Sequence, residues 1–500
     1  ALDWWIVGLY MGGTLALGIW LARRASGGLV DFFVSGRSLP WWLAGTSMAA
    51  TTFSVDTPLY VTGLVARRGI AGNWEWWAFA LSHLLLIYLF ARLWRRAEVV
   101  TYAELTELRY GGRPAAVLRG SRAFLFAVPI NCIAIGYVML AMRKVMEAFD
   151  LLGTLPAWLP GDERLWIVVA LSVFVMIYAG ISGLWGVVAT DFFQFGLAML
   201  GALLVAGFAI GDIGGLAALK EGVIAAGRED ALRLVPRPGS PDLPMGTFLA
   251  YLGIQWWAWR RSDGGGEFVQ RMSACRTERD AEGAAWLFNL LHYVVRAWPW
   301  ILTALAALVI FPDLEDPEMG YPLLMIRYLP AGVLGIVMAS FVAAFMSTVS
   351  TQINWGASYI VNDLYARFVR PDANQRQLVA LGRLASVFIV VAGGVAAFVA
   401  DDIGTVFRFM IAIGTGPGAV LILRWFWWRV NAWAELASML AGFAIALLTY
   451  LPLWSGMGFG LRLTVTAFGA AAVWLPVMWL TPPESDETLD GFYRRVRPGG

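Results

Sequence analysis

The chain has 500 residues, of which 59% are hydrophobic and only 14% are charged, and its mean hydropathy is +0.66. A soluble chain carries about a quarter charged residues, so this composition excludes a soluble protein and indicates an integral membrane protein. The formal net charge of +2, two cysteines and two histidines give no sign of nucleic-acid binding, a disulfide framework or a histidine-rich metal centre. No catalytic motif is visible, and an enzyme is not expected.

Apolar runs of about 20 residues predict membrane-spanning helices. The sequence therefore predicts an all-α protein with about thirteen spans. In chain order they are 3–22, 41–65, 74–94, 123–147, 165–183, 186–211, 247–262, 284–311, 331–353, 377–400, 404–425, 431–452 and 460–480.

The distribution of positive charge predicts the orientation of these spans. Arg23 and Arg24 follow the first apolar run, which places the N-terminus outside and argues against a signal peptide. Alternation from there assigns 24 of the 37 Lys and Arg residues to cytoplasmic loops and to a cytoplasmic C-terminal tail. We expect a multi-pass protein of a bacterial-type inner membrane, with 212–246 as the longest outside loop and no attached soluble domain.

Two of the predicted spans carry interruptions. The second reads SMAATTFSVDTPLYVTGL, with a polar run in front of Pro58, and the seventh reads GIQWWAWRRSDGGGEFVQR, with three consecutive glycines. Matching interruptions five spans apart indicate a transporter built from inverted repeats. The alternative is a proline kink in the second span and a seventh span that simply ends at Arg260.

A group of hydroxyls lies in the ninth span, within the stretch FVAAFMSTVSTQIN. Helical periodicity places Ala344, Ser347, Thr348 and Thr351 on one stripe, with Ser350 beside it. Hydroxyl and carbonyl oxygens are ligands for a hard alkali cation. Small residues at this spacing also allow close packing of helices, and the pattern alone leaves both readings open.

The chain resembles the sodium:solute symporter family over nearly its whole length. The stretches that carry the resemblance are DFFVSGRSLPWWLAGTSMAATTFS, GLWGVVATDFFQ, FVQRMSACRTERDA and ASFVAAFMSTVSTQINWGASYIVNDLY. The resemblance implies a LeuT-type core of two inverted five-helix repeats, with one helix before it and two after. The expected organisation is an N-terminal helix and loop in 1–40, a first repeat in 41–212, an outside loop in 213–246, a second repeat in 247–430, two further helices in 431–480 and a tail in 481–500.

The same resemblance implies where sodium binds. In the family, carbonyls of the first and eighth core helices and two hydroxyls of the eighth form the main sodium site, and by position these belong to Ala50, Phe53, Ala344, Ser347 and Thr348. Some members have a second sodium site, and the matching residues here are Asp191, Ser350 and Thr351. The alternative for Asp191 is a proton-carrying or helix-capping carboxylate.

The residues expected to bind substrate are Thr52, Asp56, Glu75, Arg260, Arg296 and Phe409. The resemblance aligns Glu75 with a sugar-binding glutamate and Arg296 with a lysine, whereas Thr52 and Phe409 replace an asparagine and a glutamine. Asp56 and Arg260 are additional charges at the two interruptions, and buried charges must pair with each other or with substrate. Internal pairing, such as Arg296 with Glu75, is the alternative.

The sequence thus predicts sodium-coupled symport of a small polar solute, sugar-like or carboxylate-bearing, by alternating access. Sodium is the expected co-transported ion, and no organic cofactor is expected. The lipid bilayer, the solute and sodium are the expected partners, with no nucleic acid, and a monomer is expected to function. A proton-coupled amino-acid or organic-anion carrier and a transporter-like sensor are the alternatives.

Overall fold

A computed structural model describes residues 2–21, 29–149, 163–397 and 402–499 of the chain. Nearly all of these residues are helical, and no β-strand occurs among them; extended pairing is limited to the isolated bridges Leu39–Cys275 and Trp259–Thr415. The predicted all-helical class is confirmed for this part of the chain.

The α-helices of the first half are Leu2–Leu21, Leu29–Val34, Trp41–Thr51, Asp56–Arg68, Trp74–Trp77, Ala80–Leu85, Ala91–Ala97, Leu105–Arg109, Gly112–Leu125, Asn131–Ala148, Glu163–Ile213 and Leu216–Ala225. Those of the second half are Met245–Ala250, Trp256–Ala258, Gly266–Ser273, Glu278–Asn289, Ala297–Ile310, Gly320–Tyr328, Val333–Ser358, Gln375–Ala397, Ile403–Gly414, Gly418–Leu423, Ala432–Thr449, Phe459–Leu480 and Asp486–Val496. Short π-helical stretches join several of them, at Leu86–Phe90, Phe126–Ile130, Tyr251–Gln255, Leu290–Val295 and Tyr359–Val369.

Seven helices of the described residues are long and apolar enough to cross a membrane, or eight if one bent pair counts as a single span. One prediction is wrong in detail: the separate spans 165–183 and 186–211 form one continuous helix, Glu163–Ile213. The predicted link, 184–185, lies between Gly183 and Gly186 and has no proline. A glycine costs a helix only about 1 kcal/mol. At 51 residues this long helix extends for about 76 Å, far more than a bilayer core of about 30 Å, and Leu184–Ile213 is the part with the character of a span.

The long helix packs along Val333–Ser358, which we call the hydroxyl helix, and Trp41–Thr51 lies against both. Gly201 of the long helix leaves no room for a β-carbon beside Ser340 of the hydroxyl helix. Small residues at such contacts let helix backbones approach closely in a membrane. This three-helix contact brings the hydroxyl stripe next to the interruption of the second predicted span.

The first predicted interruption is confirmed. The helix Trp41–Thr51 ends at Thr52, whose ψ is 0°, and a new helix begins at Asp56. Pro58 lies in the first turn of that new helix, where a missing backbone N–H costs nothing. We refer to Trp41–Thr51 and Asp56–Arg68 together as the first broken helix.

The second predicted interruption is also confirmed. The helix ending at Ala258 gives way to extended backbone at Trp259, and the next helix begins at Gly266. Gly264 and Gly265 have φ of +136° and +82°, and Gly266 leaves no room for a β-carbon beside the Trp355 indole. A third interruption separates the helices Ile403–Gly414 and Gly418–Leu423. The freed backbone groups find partners there, because Arg260 N–H donates to the Gly414 carbonyl and Gly416 N–H donates to the Ala258 carbonyl, both at 2.8 Å.

Candidate ion and solute site

The hydroxyl helix meets the first broken helix at the point where the latter is interrupted. The Thr348 hydroxyl donates to the Thr51 carbonyl at 3.3 Å, and the hydroxyls of Thr51 and Thr351 lie 3.2 Å apart. All three side chains are buried. The interruption and the hydroxyl stripe predicted from sequence therefore form one buried cluster of oxygen atoms.

Asp191 of the long helix joins this cluster from the third side. Its carboxylate accepts a hydrogen bond from Ser347 at 2.6 Å and another from Ser47 at 2.5 Å. Ser347 and Thr348 thus each donate their single hydroxyl proton to a neighbouring oxygen. The lone pairs of both hydroxyls remain available as acceptors, which is the state that a cation ligand requires.

Arg271, for which the sequence predicts no role, also enters the cluster. Its guanidinium lies 3.6 Å from the Asp191 carboxylate, donates to Thr351 at 2.7 Å and donates to Ser47 at 3.1 Å. Ser350 instead donates to the Ser347 carbonyl of its own helix. Of the three residues expected at a second sodium site, Asp191 and Thr351 therefore already contact a positive charge, the guanidinium of Arg271.

The remaining residues of the expected main sodium site lie close by. Ala50 and Phe53 close the turn at the interruption, where Phe53 N–H donates to the Ala50 carbonyl at 2.9 Å. Phe53 and Ala344 line a common cavity of about 10 Å³, which is roughly the room that one water molecule needs. All five predicted residues are buried at or beside this helix contact.

A central cavity opens on the other side of the interruption. Its volume is about 130 Å³. Thr52, Asp56 and Arg296 of the predicted substrate residues line it. Its aromatic lining consists of Tyr60, Trp76, Phe79, Tyr137, Trp259, Phe268, Tyr293 and Phe407.

The model of the sodium:solute symporter family matches residues 32–442. The chain belongs to the sodium:solute symporter family. The sodium/glucose cotransporter of Vibrio parahaemolyticus is 24% identical over 484 residues, which cover 90% of this chain and 86% of that protein. Sodium/myo-inositol cotransporter 2 of Oryctolagus cuniculus is 26% identical over 485 residues, which cover 89% and 69%.

A solved structure of a sodium-coupled sialic acid symporter, in a substrate-bound outward-open state, shares the fold with a TM-score of 0.77. At 18% identity it covers 97% of this chain and 98% of that one. The resemblance stated from the sequence is therefore confirmed. As a member of this family, the symporter is a multi-pass membrane protein that couples sodium to the transport of a small polar solute.

Glu75 of the symporter does not line the central cavity, contrary to its expected contact with substrate. Its fully buried carboxylate accepts from Arg68 at 2.7 Å, from the Tyr60 hydroxyl at 2.7 Å and from the Tyr251 hydroxyl at 2.8 Å. The alternative predicted from the sequence, internal pairing with Arg296, is wrong, because the basic partners of Glu75 are Arg68 and, at 3.8 Å, Arg408. The cavity wall contains the Tyr60 ring, behind which the Glu75 carboxylate lies.

Arg260 and Phe409 also lie away from the central cavity, and both line a second, apolar cavity of about 130 Å³. The Arg260 guanidinium carbon lies 5.3 Å from the ring centre of Phe126. The chain turns at Trp259, so that Trp259 faces the central cavity and Arg260 the second one. Sequence reasoning could not assign neighbouring residues to different cavities, because the side-chain directions in an interruption follow no fixed period.

Both histidines of the symporter line the central cavity, although the sequence predicts no role for either in binding. His83 Nδ1 lies 2.7 Å from the Tyr293 hydroxyl. His292 Nδ1 contacts the Arg296 guanidinium and lies 3.1 Å from the Thr52 hydroxyl. Since a guanidinium only donates, Nδ1 of His292 accepts, and the proton of the neutral ring is on Nε2. His292 thereby holds Arg296 against the interruption, where Arg296 also donates to the Ala49 carbonyl at 2.9 Å.

Proposed function

We propose that sodium drives solute uptake by binding between Ser347, Thr348, Ala344 and the interruption at Ala50 and Phe53. The observation that carries this assignment is that both hydroxyl protons are already committed, to Asp191 and to the Thr51 carbonyl. Such hydroxyls present lone pairs to a cation, and an interrupted helix supplies carbonyl oxygens for the rest of its shell. The Thr51 carbonyl, which sequence reasoning did not name, is a further oxygen at this position.

The symporter transports one sodium ion in each cycle under this proposal. The guanidinium of Arg271 already supplies a positive charge to Asp191 and a donor to Thr351. A sodium ion bound by Asp191, Ser350 and Thr351 would have to share that space with Arg271, and two cations at such separation repel strongly in a low dielectric. The second sodium site predicted from the sequence would require Arg271 to move away.

The solute binds in the central cavity, in contact with Thr52, Asp56 and Arg296. Thr52 links the two sites, because it belongs to the interruption and lies beside His292. Alternating access then proceeds through a LeuT-type core of two inverted repeats, 41–212 and 247–430, with the N-terminus outside and the C-terminus in the cytoplasm. The interruptions five predicted spans apart support this arrangement. Function as a monomer in an inner membrane, without an organic cofactor, completes the proposal.

Uptake into proteoliposomes tests the coupling. A radiolabelled solute that accumulates under an inward sodium gradient, but not under an equal choline or proton gradient, would support sodium symport. Accumulation under a proton gradient without sodium would instead support the proton-coupled alternative. A choline gradient of the same size is the control for osmotic and potential effects.

A further inference from the structure

Four side chains that carry a full charge line the central cavity: Asp56, Arg261, Glu267 and Arg296. Arg261 and Glu267 neutralise each other, because their charged groups lie 2.5 Å apart. Arg296 and Asp56 form no ion pair with one another and none with any other residue in the part of the chain that the structure describes. The cavity therefore holds one carboxylate and one guanidinium that have no direct ion-pair partner and that attract each other only across the cavity.

Arg296 is 1% exposed, so its charge has lost almost all contact with water. Its hydrogen bonds go to the uncharged Ala49 carbonyl and to the His292 ring, and its Nε has no partner. A buried guanidinium with five donors and only neutral acceptors is costly. An anionic group of the solute would satisfy it, and a carboxylate matches the fork of donors.

Asp56 is 8% exposed and is the first residue of the helix Asp56–Arg68. The positive end of the helix dipole favours a negative charge at this position. Asp56 and Arg296 lie on different helices that both border the cavity. Their charges therefore have opposite sign and stand at separate points of one enclosure.

We propose that the solute is a compact zwitterion whose carboxylate pairs with Arg296 and whose cationic group pairs with Asp56. This inference rests on the proposed function and names its substrate class. A neutral polyol would leave both groups without a direct ion-pair partner, and a simple anion or cation would leave one of them so. A zwitterion compensates both and adds no net charge to the cavity.

The aromatic lining fits the same class of solute. Trp76, Phe79, Trp259 and Phe268 contribute ring surface to a cavity of about 130 Å³. Aromatic faces attract an ammonium group and also pack against methyl and methylene groups. The volume is small beside the roughly 300–1,000 Å³ of sites for drug-sized ligands, which favours a solute of amino-acid or betaine size.

The test is a thermal-shift and calorimetric comparison on the full chain in nanodiscs, with and without sodium. L-proline and glycine betaine are the zwitterions, myo-inositol and glucose the neutral polyols, and propionate the simple anion. We expect sodium-enhanced binding of at least one zwitterion. In Arg296→Gln and in Asp56→Asn that binding should weaken by about ten- to a hundred-fold. Asp56→Asn should also shift the ratio of affinities toward propionate.

Arg296→Lys and Asp56→Glu keep the charges and are the controls for a general effect of substitution on folding. They should retain more zwitterion binding than the neutral variants. Arg233→Gln, in an exposed segment outside the cavity, is the matched control for loss of an arginine. Sodium-enhanced binding of a polyol with no response to either zwitterion would overturn the inference and leave sodium symport intact. If sodium changes the binding of none of these solutes, the inference and the proposed sodium coupling both fail.

Discussion

Loss of the Thr348 hydroxyl tests the proposed sodium site directly. Thr348→Ala removes one oxygen from a shell that we build from Ser347, Thr348 and backbone carbonyls. A hydrogen bond to a charged group contributes about 1.5–3 kcal/mol, and we take the same range for one oxygen ligand of sodium. At about 1.4 kcal/mol for each tenfold change, the sodium concentration for half-maximal effect should rise roughly 10- to 150-fold.

The measurement needs no knowledge of the solute. Sodium that binds only the folded state stabilises it by RT ln(1 + [Na+]/Kd). Fitting this relation to melting temperatures across a sodium series balanced with choline gives Kd, which is the sodium midpoint. Thr348→Ser keeps the hydroxyl and should stay near the wild-type midpoint. Thr303→Ala is the matched control, because this buried hydroxyl donates only to the Pro299 carbonyl of its own helix.

The Thr51 carbonyl loses its partner in Thr348→Ala, which by itself costs about 1–3 kcal/mol if the group remains unsatisfied. The melting temperature without sodium will therefore fall, and only the sodium midpoint carries the test. A variant that melts lower but keeps the wild-type sodium midpoint would refute the reasoning and place the ion elsewhere.

Three further predictions address the neighbouring features. Glu75→Gln should lower the free energy of unfolding by about 3 kcal/mol, because it leaves Arg68 without its carboxylate. Unfolding in denaturant measures this, and the double variant with Arg68→Gln should recover part of the loss. A single variant as stable as the wild type would show that the pair contributes nothing to stability. Sodium binding to the wild type should follow a single-site curve. Arg271→Gln should add a second, weaker site, because the guanidinium that occupies that position in the wild type is gone. Two sites in the wild type would contradict the one-ion proposal. Single cysteines placed in 66–72 should react with an impermeant thiol reagent from outside and those in 371–377 from the cytoplasm, in a background where Cys132 and Cys275 are replaced; the reverse pattern would invert the topology.

The interruptions were predictable because their causes are local. Pro58 and the glycines at 264–266 restrict the backbone where they stand, whatever the rest of the chain does. The hydroxyl stripe was predictable for a similar reason, since helical periodicity fixes which of its residues share a face.

The partners of the buried charges were not predictable. Asp191 and Arg271 are 80 positions apart in the sequence, and no pattern says that their helices meet. Arg68 and Glu75 are close in sequence, but a turn at Gly69 separates their helices, so helical spacing gives no guide to their contact. The continuous helix Glu163–Ile213 was not predicted either. The sequence was divided into spans of about 20 residues, the length that crosses a bilayer, and this helix is longer than one span.

Backbone hydrogen bonds between the second and third interruptions connect two parts of the chain that are far apart in sequence. Arg260 and Gly416 each donate one of these bonds, and the Ser262 hydroxyl adds a third to the Gly418 carbonyl at 2.7 Å. We expect a displacement of Trp259 by the contents of the central cavity to reach the helix Gly418–Leu423 through these hydrogen bonds. The amide protons of Arg260 and Gly416 are where such a displacement would first be seen, as a change in their hydrogen exchange.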